Sequence, residues 1–329
     1  MKKIAVFFAV MIIVVNITCS FNYKPKSLNN TLVSNIKKVG ITHKETSSRG
    51  VKLNTSLQNF RSNRVFYRGK AVVLTYHNIS SLSLGEITIK PERFENDLKM
   101  LRDKGFNVIS LKKMIGAMEG KESMPDNAIV ITFDDGIKSF YSLAYPLLLK
   151  YSMPATNFII TSRNETYNMF HNEDGPLSPY EITDMYGSGL IDIQSHSNDS
   201  HEYVIINSKL KKGPKLINRI YDVETRSLES IEDYEKRVTV DLMKSSEIIY
   251  KYTGMPSDVL CFPFGSYNEK IIEIAKNCGF KYFVTTIQGC NRENSDKEKI
   301  FRIRAGDEKL DTDKLFNSII DTADSKRAH

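Results

Sequence analysis

The chain has 329 residues and no tryptophan, and it carries only six histidines, ten prolines and four cysteines. Those four, Cys19, Cys261, Cys278 and Cys290, become three if Cys19 is removed or acylated, and an odd number cannot all pair within one molecule, which excludes a disulfide scaffold. There is no Cys-x-x-Cys, and the spacings of 17 and 12 residues between the last three exclude a zinc-thiolate knuckle. No Gly-x-x-x-x-Gly-Lys run occurs, so phosphate-loop chemistry has no support. The seventeen glycines are too few for a low-complexity or collagen-like chain, and 41% hydrophobic residues suffice for a sizeable core.

Long apolar runs are also missing. The one at the start, Ile4 to Val15 after Lys2 and Lys3, is too short for an ordinary membrane span and has the charged and apolar regions of a secretory signal. Residues 1–20 therefore read as a signal peptide or membrane anchor: cleavage after Ser20, acylation at Cys19 and an uncleaved anchor are the three forms it can take. An extracellular location, free or attached to the outer face of the membrane or wall, is expected.

The net charge of +7 is unevenly spread. Residues 21–70 hold eleven Lys and Arg against the single acid Glu45, whereas residues 71–329 carry a net −5. The positive charge thus sits in a polar tether rich in Asn, Ser and Thr, not on a domain face, and a nucleic-acid partner is not expected. Attraction of this basic linker to an anionic membrane or wall polymer is the functional reading of its charge.

From residue 71 onward, short β-branched runs alternate with amphipathic stretches, the pattern of parallel strands joined by helices. Strands are expected at 71–76, 107–109, 128–133, 156–160, 190–194, 259–262, 282–285 and 300–303. Pro91 suits the first turn of a helix ended by Gly105, and another helix is expected over about 233–252, stopped by Gly254. Seven or eight such units in about 250 residues predict one α/β domain, an irregular (β/α) barrel of the TIM-like kind.

Four of the expected strands end in polar residues: Tyr76-His77, Phe133-Asp134-Asp135-Gly136, Ser195-His196 and Phe262-Pro263-Phe264-Gly265. In a β/α barrel those carboxyl ends converge on one face. Adjacent strand residues point oppositely, so Asp134 and Asp135 can share a site only if the chain bends at once, which Gly136 permits. His196 and His201 are five apart, about 140° around a helix, so both can face one ion only from a loop. Two imidazoles and Asp135 make a two-His, one-carboxylate set suited to Zn²⁺ or to Co²⁺, Ni²⁺ or Fe²⁺.

The runs Thr132-Phe-Asp-Asp-Gly136, Ser195-His-Ser-x-x-x-His201 and Phe262-Pro-Phe-Gly265 resemble the first three motifs of the polysaccharide deacetylases, carbohydrate esterase family four. The resemblance covers roughly residues 71–305. The His-to-His span and Tyr76-His77 are most similar to the subgroup acting on poly-β-1,6-N-acetylglucosamine. It implies an N-acetylated polysaccharide as substrate, a divalent metal on Asp135, His196 and His201, and Asp134 as general base. It also implies a backbone N–H near Phe264 as an oxyanion donor. The chain departs from the family in two places. No Leu-x-His follows His201, which leaves His77 as the candidate general acid. Cys261 stands where many members have an arginine, and Arg302 and Arg304, on the last expected strand, are the candidates to replace its charge. Peptidoglycan is the alternative substrate, and a carbohydrate-binding protein without catalysis is the alternative of another class. Residues 163–180, with Tyr167, Phe170 and His171, and 202–232, with Lys209, Lys211, Lys212 and Lys215, are long connections expected to border the mouth of the site.

Overall fold

The computed structural model describes residues 64–82, 85–165, 173–293 and 298–325. The signal segment, Cys19, most of the tether, and Tyr167, Phe170 and His171 lie outside them. Among the described residues, no helix is long and apolar enough to cross a membrane, and Cys261, Cys278 and Cys290 are free thiols.

A single twisted sheet carries the fold. In chain order its main strands are β1 (Lys70–Tyr76), β2 (Asn107–Val108), β3 (Ala128–Phe133), β4 (Ala155–Ile159), β5 (Ile191–Ser195), β6 (Val259–Cys261), β7 (Tyr282–Val284), β8 (Lys299–Ile300) and β9 (Ile303–Arg304). The parallel order β1, β3, β4, β5, β6, β7, β8 runs around the sheet, with β2 beside the start of β3 and β9 pairing in parallel with β1. Because β8 lies on β7 while β9 lies on β1, the segment 299–304 bridges the two edges and nearly closes the barrel.

Two layers of side chains explain the continuous apolar runs. Val72, Leu74, Tyr76, Ile129, Ile131 and Phe133 belong to an outer core shared with α1 (Pro91–Asp103) and α7 (Thr312–Asp324). The alternate residues Ala71, Val73, Ala128 and Val130 form an inner core with Leu111, Met114, Ile115 and Met118 of α2 (Leu111–Met118). A strand buried on both faces needs apolar residues at every position. Phe94, Leu98 and Leu101 of α1 are essentially unexposed, and burying each contributes about 1.5–3 kcal/mol. Among the described residues, the other helices of seven or more residues are α3 (Tyr145–Tyr151), α4 (Pro179–Gly187), α5 (Ile231–Thr253) and α6 (Glu269–Asn277), of which α5 reaches the site.

Two expectations change. The tether does not reach residue 70, because Tyr67 is buried, Phe66 packs against the outer core, and the Asn127 side chain accepts from both of their backbone N–H groups. The strand expected over 300–303 is broken at Phe301 and Arg302 into β8 and β9, with Arg302 inside the barrel on the side of Ile300.

Candidate active site

The inward series on β3 runs Ala128, Val130, Thr132 and then Asp134, whose N–H extends the ladder to the Tyr76 carbonyl at 3.0 Å. Regular extension would send Asp135 outward. Instead Asp135 and Gly136 adopt left-handed backbone, φ 75° and 67°, and the chain folds back over the barrel mouth. Asp tolerates that conformation better than most residues, and at Gly136 a side chain would press on Ile159, 3.2 Å from its Cα. Both carboxylates therefore line one cavity of about 570 Å³, together with His77, His196, His201, Phe264, Arg302 and Arg304.

Asp134 is 3% exposed and held by a fork: Arg302 Nη1 donates to its Oδ1 at 2.7 Å and Nη2 to Oδ2 at 2.8 Å. The same guanidinium donates to the Thr285 carbonyl through Nε, to Thr132 Oγ1 and to Cys261 Sγ. Burial alone would raise the Asp134 pKa, but the charge and hydrogen bonds of Arg302 hold it well below the usual carboxylate range. Arg302 thus acts through Asp134, whereas Arg304 is largely exposed at the rim and lies 3.7 Å from Asp307. The two arginines share the cavity but not a role.

His196 ends β5 and is 2% exposed, with its Nδ1 2.8 Å from the Cys261 carbonyl. That oxygen can only accept, so Nδ1 carries the proton and Nε2 presents a lone pair. His201 follows a loop begun by Ser197 at φ 70°. The loop is fastened by Asp241 of α5, whose carboxylate accepts from the Asn198 N–H at 3.0 Å and the Asp199 N–H at 2.7 Å. Burial, aided by His196 and opposed by Asp135, lowers His201 to a pKa of about 4, so the ring is neutral at physiological pH.

The Nε2 atoms of His196 and His201 lie 3.5 and 3.3 Å from Asp135 Oδ1, a buried oxygen with no hydrogen-bond partner. A buried carboxylate oxygen without a hydrogen-bond partner, set between two imidazole nitrogens, is a donor set that a divalent ion fits. A second trio, Asp134, His196 and Cys261, also comes together, but there the Asp134 charge is already neutralised by the Arg302 guanidinium.

His77 follows β1, with Nε2 3.7 Å from Asp134 Oδ2 and Nδ1 buried without a partner. Burial lowers its pKa, against the pull of the Asp134 and Asp135 carboxylates. Phe264 sits at φ 58° in the turn after β6 and is followed by Gly265 at φ 66°, where a Cβ would lie 2.0 Å from Thr286 Oγ1. This turn swings the Phe264 ring over His201, with centroids 4.3 Å apart.

Sequence reasoning missed the Asp241 clamp. Its signal is an acid at the buried stripe of α5, between Val238 and Leu242 on one side and Ser245 on the other. Of the long connection 202–232, Lys215 is tied to Asp199 and Glu202 at the base of a hairpin, while Lys209, Lys211 and Lys212 are exposed.

A barrel that gathers two aspartates and two histidines at its strand ends is what a polysaccharide deacetylase domain needs, and residues 121–283 match the family model described as polysaccharide deacetylase. Among individual proteins, the chain is similar to the poly-beta-1,6-N-acetyl-D-glucosamine N-deacetylase of Staphylococcus aureus strain MRSA252. The two are 27% identical over 258 residues, covering 74% of this chain and 81% of that one. The BpsB deacetylase domain of Bordetella bronchiseptica is 25% identical with a TM-score of 0.64, covering 72% of this chain and 96% of that domain. A de-N-acetylase of Aggregatibacter actinomycetemcomitans shares the fold, with a TM-score of 0.68 at 24% identity over 76% of this chain and 99% of that one.

Proposed function

We propose that the chain is an exported, metal-dependent deacetylase that hydrolyses the acetamide of N-acetylglucosamine units in a poly-β-1,6-linked exopolysaccharide. The observation that carries the metal site is the orphaned Asp135 Oδ1 between two histidine Nε2 atoms. In this reading residues 1–20 are the export signal and the basic tether after them meets an anionic membrane or wall.

Asp135, His196 and His201 would hold the ion. When bound, a divalent cation such as Zn²⁺ polarises the acetamide carbonyl and brings the pKa of water from about 15.7 toward 7. Asp134, kept ionised by Arg302, accepts the proton of the attacking water at a carboxylate oxygen. The backbone N–H at Phe264, in the turn that lines the cavity, would donate to the oxygen that gains negative charge. His77, whose Nε2 lies 3.7 Å from Asp134 Oδ2, passes on to the leaving amine the proton that Asp134 takes from the water. Retention of all four of Asp134, Asp135, His196 and His201 supports catalysis over a binding role, which would need none of this set intact.

The test is acetate release by purified protein, with Zn²⁺ and with a chelator, from β-1,6-linked N-acetylglucosamine oligomers beside peptidoglycan. Chelator-sensitive release from the oligomers is expected. Asp135→Ala and His196→Ala are expected to lose both metal and activity. No release from either polymer by folded, metal-loaded protein would overturn the reading.

A further inference from the structure

We infer that Tyr203, together with Phe264, forms a stacking platform for a sugar unit next to the one being deacetylated, just outside the catalytic cavity. This rests on the polymer-deacetylase reading and adds where the chain of sugars runs. Tyr203 opens a hairpin, Tyr203–Ile205 paired with Lys212–Pro214, that begins two residues after His201. Its ring is 52% exposed and lies 4.6 Å from the ring of Phe264, itself 39% exposed. Phe264 in turn covers His201. Three rings therefore form a row leading from a metal ligand out to solvent.

An exposed tyrosine alone is commonplace. This one has a place and a support. The cavity, about 570 Å³, lies in the range of about 300–1,000 Å³ typical of small-molecule pockets. It suits the reacting sugar, so the rest of a polymer must continue over the rim. On the rim beyond Phe264, Tyr203 offers a flat apolar face, and none of the described residues hydrogen-bonds its hydroxyl. A β-linked pyranose presents a matching flat face of C–H groups, and its hydroxyls can reach the phenol. The hairpin base is fixed in advance: the Lys215 N–H donates to the Glu202 carbonyl at 2.9 Å, and Lys215 Nζ reaches Asp199 at 3.0 Å and Glu202 at 2.6 Å. A fixed ring loses little freedom on binding.

The experiment compares the full-length protein with Tyr203→Ala, Tyr203→Leu and Tyr203→Phe on β-1,6-linked N-acetylglucosamine from the monosaccharide to a long oligomer. For Ala and Leu, KM on the long oligomer is expected to rise about tenfold, as for loss of an aromatic anchor. Expected alongside are an unchanged kcat, unchanged kcat/KM on the monosaccharide, and wild-type behaviour for Phe. A loss equal at every length, or no loss, overturns the platform. If the wild type releases no acetate at all, the deacetylase reading fails, and saturation-transfer NMR with the same oligomers decides the platform separately. Transfer to the sugar C–H groups that vanishes in Tyr203→Ala and persists in Tyr203→Phe supports it; a signal unchanged by Ala, or absent from the wild type, overturns it.

Discussion

Arg302 meets Asp134 as a two-pronged fork, at 2.7 and 2.8 Å, with both residues no more than 3% exposed. The pair puts a full counter-charge beside Asp134, the proposed general base, next to the Cys261 thiol. Removing one partner strands the other as a buried charge.

Arg302→Met is therefore expected to cost about 3–5 kcal/mol of stability, as breaking a buried pair does. It should also move the acid limb of the pH–rate profile upward. Burial raises the Asp134 pKa once the guanidinium no longer opposes it, so the carboxyl protonates at a higher pH. Urea unfolding and kcat against pH check both. An unmoved acid limb would mean that Arg302 only supports the fold. Lys at this position cannot make the fork and should rescue only in part.

His77→Ala should retain the metal and lose about 10²–10⁴-fold in kcat, the range of a general acid. Metal content and turnover measured on one preparation test this. Full activity removes His77 from the reaction.

Asp241→Asn keeps the shape of the clamp but leaves one oxygen for two N–H donors. The loop that carries His201 loosens, and metal affinity is expected to fall about 10–100-fold. A competitive chelator titration reads the affinity, and saturating metal should restore most of kcat.

Asp192 lies on β5, half-buried, and burial raises its carboxyl to a pKa of about 6 despite the Gln194 hydrogen bond. Between the unfolded value of about 3.8 and 6 the native state holds a proton that the unfolded chain has released, so stability falls as pH rises through this window and levels off above it. Asp192→Asn should flatten this slope and be the more stable form at pH 7. Urea midpoints from pH 4 to pH 8 measure it.

How far the sequence could be read depends on where the deciding contact lies. β1 and β3 are legible almost to the residue because both faces are buried and every position is apolar. His196, His201 and the two aspartates stand out by type and spacing. The bend after Phe133 is announced by Gly136, whereas the Asp241 clamp is less visible, since its partners Asn198 and Asp199 are more than forty residues away. Period-two alternation places Arg302 and Arg304 on one side, and both line the cavity. What no local pattern records is that only Arg302 answers Asp134, 168 residues earlier. Likewise Tyr67 looks like tether until its burial under Asn127 and the outer core is seen.

The bridging segment 299–304 ties two properties of the molecule together. The arginine that answers Asp134 lies between the two short strands that pair with opposite edges of the sheet. Any loosening of that seam therefore also strips a buried carboxylate of its counter-ion, so closure of the barrel and the charge balance at its mouth are one structural event.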